Sequence, residues 1–585
     1  MNIENYKKYV KYTLGQEKSD LVLKNAKLIM VQTGEVIEAD LAIKDKYIVG
    51  LGDYEGLEEL DCSNRYVCPG FIDSHLHFES TLANPKELVH YASLSGTTGF
   101  IADPHEAANV AGIKGINYIL DQTQDASGDV YIMAPSCVPC KEGEDSGCLM
   151  EASDLKKLLD NPRILGLGEV MDEGGVIGLK DSMMAKLDLF SDRVKDGHAI
   201  SIEGKDLAAY AMSGILTDHE STEYKYAMMK VRNGMYVHIR EGSAARNLEA
   251  IVRGIVENKT DISRFTFCTD DKHIEDIQKD GHISHNVRKA ISLGLKPIDA
   301  YKMASLNPAQ CYGLDDLGMI AVGKKANLII LSDMENVLID RVMYEGDFIR
   351  PIYEGNKMSV DPQLIDSLHI DWFDENMLAY KSHRYAIGMV EGEILTKLID
   401  LDSYKCHNDL ARYDSQMDAP ACLKFADNDR KEAMANKISK VAVIERHHNT
   451  GHYHVAKVLG YNIKNGAVAS SVSHDSHNVI VIGDNDRDMM LALEKLKESK
   501  GGYVLVEGGH VYDALPLPVM GLMSDLDSGK MNEVLSRMIA RAHKMGVPDG
   551  IEPFIALSFI ALPVIPEIRI RTRGLYDVLG DRYLD

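Results

Sequence analysis

The chain has 585 residues, 45% of them hydrophobic, with 64 Lys+Arg against 89 Asp+Glu and a net charge of −25. That length exceeds a single domain and holds ample apolar material for more than one core. The acidic balance argues against a phosphate-binding surface, so no nucleic-acid partner is expected, and it suits a small or neutral substrate.

The opening stretch, MNIENYKKYVKYTLGQEKSD, is charged throughout and lacks the apolar core of a secretory signal. Residues 1–70 then read as the strands of a small β-sandwich. DLVLKNAKLIM and GEVIEADLAIKDKYIVGLG alternate apolar and polar residues, and the stretch ends at the turn signal Val67-Cys68-Pro69-Gly70. From residue 71 to 317, short apolar runs alternate with helical patterns. The runs are GTTGFIAD (96–103), DVYIMAP (129–135), RILGLGEV (163–170), HAISIEG (198–204), SGILTDHE (213–220), GMYVHIRE (234–241) and RFTFCTDD (264–271). With the strand before Asp73 they make about eight βα units, which predicts a closed (β/α)8 barrel in an α/β chain. Residues 318–350 return to short alternating strands, expected to pair with the N-terminal ones in the sandwich domain. Residues 351–415 read as a linker with some strand. Residues 416–585 form a further α/β domain, with strands near 441–446, 479–484 and 502–509. Its apolar run Pro553 to Pro566 is too short to span a bilayer, so no membrane partner is expected. The nine cysteines are scattered, and without an export signal they are expected to be reduced, in a cytoplasmic protein.

His75-Leu76-His77 follows the run VCPGFIDS. Two imidazoles at i and i+2 on an extended segment face the same side and can share one metal ion. Further ligand types recur after later strands: Glu169 after RILGLG, His198 opening HAISIEG, His219 after SGILTD and Asp270 after RFTFCT. A barrel would bring all these strand ends to one mouth. Each residue alone has an ordinary explanation, as a satisfied histidine or a helix N-cap; six of them at one end of successive strands predict a metal site. A carboxylate such as Glu169 can bridge two ions. His and carboxylate donors without thiolates suit Mn²⁺ or Fe²⁺, and also Zn²⁺.

Other motifs read differently. Cys137-Val-Pro-Cys140 lacks the second pair that a structural zinc needs. His105-Glu106-Ala-Ala-Asn109 misses the second histidine of HExxH, and PCxxC is absent because Ser136 precedes Cys137. His105, Glu106, Glu241, Asp271 and His474 remain candidates for substrate contacts, and the loop His474-Asp475-Ser476-His477 for reaching the barrel mouth. The remaining histidines of the last domain (447, 448, 452, 454 and 510) read as exposed or hydrogen-bonded.

PGFIDSHLHFES, ADPHEAANV (102–110), GLGEVM (166–171), GKDLAAYAMSGILTDHES (204–221), IREGSAARNL (239–248), FCTDD (267–271), SSVSHDSHNVIVIGDND (470–486) and LPLPVMGLMSD (515–525) resemble the amidohydrolase superfamily of metal-dependent barrel hydrolases. Within it they resemble the bacterial-type adenine deaminase family, from about Asp20 to the C-terminus. The resemblance implies hydrolytic deamination of adenine to hypoxanthine and ammonia, a purine-salvage reaction, at a binuclear divalent centre. His75, His77, His198, His219 and Asp270 would be the ligands and Glu169 the bridge, where many relatives use a carboxylated lysine. Asp270 would move the proton and Glu220 would serve as a further acid. A purine base is the implied small-molecule partner, and a homo-oligomer the implied assembly. One departure is local: Ala199-Ile200-Ser201-Ile202-Glu203 stands where the family has a Pro-Gly-Leu-Ser-like stretch. The alternatives are another amidohydrolase reaction, such as cyclic-amide hydrolysis or amino-sugar deacetylation, and a non-catalytic scaffold. The scaffold predicts gaps among the six ligands, and none is missing.

Overall fold

The structure, a computed structural model, describes residues 3–200, 202–243, 245–353, 355, 360–381, 384–401, 405–406 and 438–584. The first residues of the expected C-terminal domain, 416–437, lie outside these.

Eight strands form the barrel: Phe71–Leu76, Thr97–Ala102, Asp129–Ala134, Ile164–Val170, Val194–Gly197, Thr217–Asp218, Tyr236–Arg240 and Phe265–Cys268. The first five pair in parallel in chain order, and so do the last three. Backbone bonds join the two sets. Leu216 N–H donates to Lys195 O at 2.9 Å, and Asp270 N–H to His75 O at 3.0 Å, so the barrel closes. Phe100, Ile132 and Leu167 pack outward with the helices, while Ile72, Ile101 and Met133 pack with Tyr312, Leu314 and Leu317. The Tyr312 hydroxyl lies 2.8 Å from Ser74 O, 3.0 Å from Asp196 Oδ2 and 3.0 Å from His238 Nε2. Groups from three strands meet there, which makes Tyr312 a plug for the barrel interior.

The fifth strand differs from the expectation. Val194–Gly197 is the strand, and His198 follows it instead of opening one. Val-Lys-Asp-Gly does not look buried, yet it is satisfied internally. Lys195 Nζ donates to Phe190 O at 3.1 Å, and Asp196 accepts from Thr217 Oγ1 at 2.9 Å. Burial pushes the Asp196 carboxyl up to about 7. Polarity hid this strand because its side chains bond to the protein instead of water.

Both flanks of the barrel join in one eight-stranded sheet, in which Leu328–Asp333 runs antiparallel to Tyr66–Pro69. Side chains alternate along its long first strand, Ser19–Met30. Leu28 and Met30 enter the sheet's own core, whereas Ile29, with Val31 beyond the strand, joins the barrel's cluster. The last domain carries a nine-stranded sheet, covered by helices Asp486–Glu498 and Ser528–Lys544. Tyr385–Met389 and Thr396–Asp400 belong to that sheet, so part of the stretch expected as linker is domain. The domain docks on loops and a helix that follow barrel strands. Ser524 N–H donates to Leu82 O at 2.7 Å, Ser528 N–H to Glu87 Oε1 at 2.9 Å, and Asn478 Nδ2 to Asp145 O at 2.6 Å. Of the C-terminal histidines, His448 and His452 reach across this junction to Ser146 O and Asp145. Among the described residues, no helix is long and apolar enough to cross a membrane.

Candidate active site

His75 stands one residue before the end of its strand with the ring turned toward His77, and their Nε2 atoms stand 3.1 Å apart. The His77 Nδ1–H donates to the Asp103 carbonyl at 2.8 Å. A carbonyl only accepts, so the lone pair of His77 is on Nε2, facing His75. Burial and the neighbouring His219 push the His75 imidazole well below its usual range, which keeps it neutral. Two imidazole nitrogens facing one point suit a shared cation.

Glu169, at the end of the fourth strand, faces both ways. Its Oε1 lies 3.5 Å from His77 Nε2 and 3.8 Å from His75 Nε2. Its Oε2 lies 2.8 Å from His198 Nδ1 and 3.3 Å from His219 Nε2. The carboxylate is held from behind, because Glu169 N–H donates to Asp103 Oδ2 at 2.8 Å and Ser136 Oγ to Glu169 O at 2.5 Å. Burial would favour a neutral Glu169, but His105, His198 and His219 outweigh it and hold the carboxyl well below its usual range.

Asp270 completes the group. Its Oδ1 is 3.1 Å from His77 Nε2 and 3.7 Å from His75 Nε2. The residue adopts φ 59°, a left-handed conformation uncommon for aspartate. Its neighbours hold it there: its N–H bonds to His75 O, and Thr269 Oγ1 donates to Asp73 Oδ2 at 2.5 Å. All six expected ligand residues are buried, and five of them, His77, Glu169, His198, His219 and Asp270, line one cavity, with His75 behind His77. Trios drawn from them, such as His75-His77-Glu169 and Glu169-His198-His219, place their donor atoms within 4.8 Å of one another. The buried His198 Nε2, His219 Nδ1 and His105 Nδ1 have no hydrogen-bond partner. This donor set, imidazoles around central carboxylates, fits divalent cations.

Arg240 was not singled out by its sequence, and it organises the mouth. Nη1 donates to Glu220 Oε1 at 2.6 Å and to Asp270 Oδ2 at 2.7 Å, and Nη2 to Glu220 Oε2 at 3.1 Å. Burial works against a charge on Glu220, yet Arg240 and His198 hold its carboxyl well below the usual range. Glu241, the expected neighbour, points elsewhere, to Lys289 Nζ at 2.7 Å and to His285 at 3.9 Å. Strand alternation explains the swap: His238 and Arg240 share the interior face, so Glu241 turns away.

His105, Glu106, Asp271 and His474 do line the pocket, and with them Asp475, Met171, Ile394, Phe559, Leu562 and Ile565. The apolar run at 553–566, noted only for its length, thus walls the cavity. Ala199 is fixed by Asp218 Oδ1, at 2.9 Å from its N–H, and by Lys230 Nζ, at 2.7 Å from its carbonyl. Ser201 lies outside the described residues. Cys137 and Cys140 are buried free thiols.

Residues 66–349 match the amidohydrolase family, and residues 419–581 match the adenine deaminase C-terminal domain. The adenine deaminase of Desulfitobacterium hafniense (strain Y51) is 48% identical over 590 residues, covering 100% of this chain and 99% of that protein. That of Clostridium acetobutylicum is 39% identical over 98% of this chain and 99% of its own length. That of Bacillus subtilis (strain 168) is 36% identical over 97% of each. The chain belongs to the adenine deaminase family of amidohydrolases.

Proposed function

We propose that this chain hydrolyses adenine to hypoxanthine and ammonia in the cytoplasm, as a purine-salvage enzyme, and that it works as a homo-oligomer. The observation that carries the chemistry is Glu169, with one oxygen toward His75 and His77 and the other toward His198 and His219. Two divalent cations, Mn²⁺ or Fe²⁺ in preference to Zn²⁺, would be held there. His75, His77 and Asp270 would serve one and His198 and His219 the other, with Glu169 common to both. Bound there, such ions would supply Lewis acidity, the chemistry that brings the pKa of water from 15.7 toward neutrality.

The residues do the rest. Asp270 accepts the proton of the water that adds to C6 and returns it to the departing amino nitrogen, so that ammonia leaves. Arg240 fixes the carboxylate for this transfer through its bond to Oδ2. The proton-donor role expected of Glu220 does not suit a carboxylate gripped by a guanidinium. Glu220 instead anchors Arg240 and stands 3.3 Å from His219 Nε2. Full-length similarity to adenine deaminases, including the C-terminal domain, supports this reaction over cyclic-amide hydrolysis or amino-sugar deacetylation.

The test is ammonia release from adenine by protein loaded with Mn²⁺, beside ring opening of a dihydropyrimidine. Adenine turnover is expected, and ring opening alone would overturn the assignment. Asp270→Asn should lower kcat by about 10²–10⁴-fold with metal still bound. Full turnover in that variant would remove Asp270 from its role.

A further inference from the structure

Glu106, His474 and His477 meet where the barrel touches the C-terminal domain. Their donor atoms lie within 4.8 Å of one another, close enough for a cation. The tautomer of His477 argues against one. Its Nδ1 accepts the Ser473 N–H at 3.1 Å, so its proton is on Nε2. That Nε2 stands 3.2 Å from Glu106 Oε2. A protonated nitrogen has no lone pair to give a metal, so His477 presents an N–H to a carboxylate. The 3.2 Å contact is an ion-pair distance short of a fully formed hydrogen bond, and neither Glu106 Oε2 nor His477 Nε2, both on buried residues, has a hydrogen-bond partner. The other Glu106 oxygen takes the Ser80 hydroxyl at 3.1 Å, and Ser80 also reaches Asp271.

Glu106 is thus a carboxylate aimed into the pocket and steadied from two domains. An ionised carboxylate only accepts hydrogen bonds, so the part of a ligand that meets it must carry an N–H or O–H. A free purine base has such an N–H on its five-membered ring, and a nucleoside has a sugar there instead. The wall beside Glu106 is apolar, with Ile394, Phe559, Leu562 and Ile565. Phe559 stacks on His474 with ring centroids 4.7 Å apart. Such a wall suits the flat face of a base.

Resting on the assignment of adenine as substrate, we propose that Glu106 accepts the N–H of the five-membered ring of the base, and that His477 is its positioning residue. The preference for free base over nucleoside then belongs to the junction of two domains, and the base subsite is incomplete without the C-terminal one.

Steady-state constants for adenine and 9-methyladenine test this, measured on the full-length Mn²⁺-loaded protein, Glu106→Gln, His477→Ala and His477→Gln, with metal content determined in parallel. The parent protein should strongly prefer adenine, because 9-methyladenine lacks the ring N–H. Glu106→Gln should raise KM for adenine about 10–100-fold, the worth of a hydrogen bond to a charged group, while kcat and metal content hold. It should also narrow the preference over 9-methyladenine. His477→Ala should do the same to a lesser degree, and His477→Gln, which keeps an N–H, should recover most of the loss. An unchanged preference in Glu106→Gln overturns the inference. So does equal use of both bases by the parent protein, or a loss in His477→Ala that falls on kcat and metal content with KM unmoved. If the parent protein releases no ammonia from adenine, the substrate assignment itself has failed. If it does and the preference stays fixed in the variants, only the inference has failed.

Discussion

The barrel mouth and the wall that faces it are made of opposite materials. The mouth gathers His77, Glu169, His198, His219, Glu220, Arg240 and Asp270, while the C-terminal domain contributes Ile394, Phe559, Leu562 and Ile565. Charged groups packed so tightly need partners that no solvent supplies, and they find them in one another. The apolar wall needs none; it excludes water and presents a surface to the flat face of a substrate. The mouth should therefore govern turnover and metal content, and the wall should govern affinity.

The largest effect tests the mouth. Glu169→Gln keeps the shape and removes the charge between the two histidine pairs. Metal content should fall, and adenine turnover should drop at least about 10³-fold, the scale of several kcal/mol of lost transition-state stabilisation. Metal analysis beside a kcat measurement decides it. A fully loaded and active variant would strip Glu169 of its bridging role.

Arg240→Lys comes next. Lysine keeps the charge but cannot span Glu220 and Asp270 with one rigid fork. A fall in kcat of about 10–100-fold with metal retained is expected, read from kcat and metal stoichiometry together, because misplacing a positioned group costs about that much. An unchanged kcat would mean that Asp270 keeps its place without the guanidinium.

The two regions also differ in how far the sequence revealed them. The six ligand-type residues were legible because a barrel places strand ends together, and each stands at or near a strand end. Arg240 was hidden by its neighbour. Glu241 drew attention as an acid, although alternation from His238 places residue 240, and not 241, on the inner face. Val194–Gly197 was hidden by its charges, which bond to Phe190 O and Thr217. The apolar wall could not be read at all. An apolar run such as 553–566 looks the same whether it fills a core or lines a cavity, and its position depends on contacts hundreds of residues away.

Leu562→Ala tests the wall directly. Trimming one apolar group from a pocket typically changes binding by about 1–3 kcal/mol, or roughly 10–200-fold. KM for adenine should rise toward the low end of that range, with kcat and metal content near those of the parent. A loss confined to kcat would erase the division of labour between wall and mouth.

Glu241→Gln should have the smallest effect and gives the comparison its sharpest edge, because residues 240 and 241 are adjacent and face opposite ways. Glu241 is bound to Lys289 and His285, outside the cavity. Its kcat/KM should stay within about 3-fold of the parent, since it touches neither a ligand nor the pocket. Its effect belongs to stability instead. Burial alone would raise its carboxyl pKa, but His285 and Lys289 outweigh burial and lower it. A lowered carboxylate pKa contributes stability that is full above the unfolded value of about 4.3 and drains as pH falls through the folded value. The variant should therefore melt slightly below the parent near neutrality, by about 1 kcal/mol or less. The gap should close in acid, where the parent carboxylate takes up its proton and the ion pair is lost in both proteins.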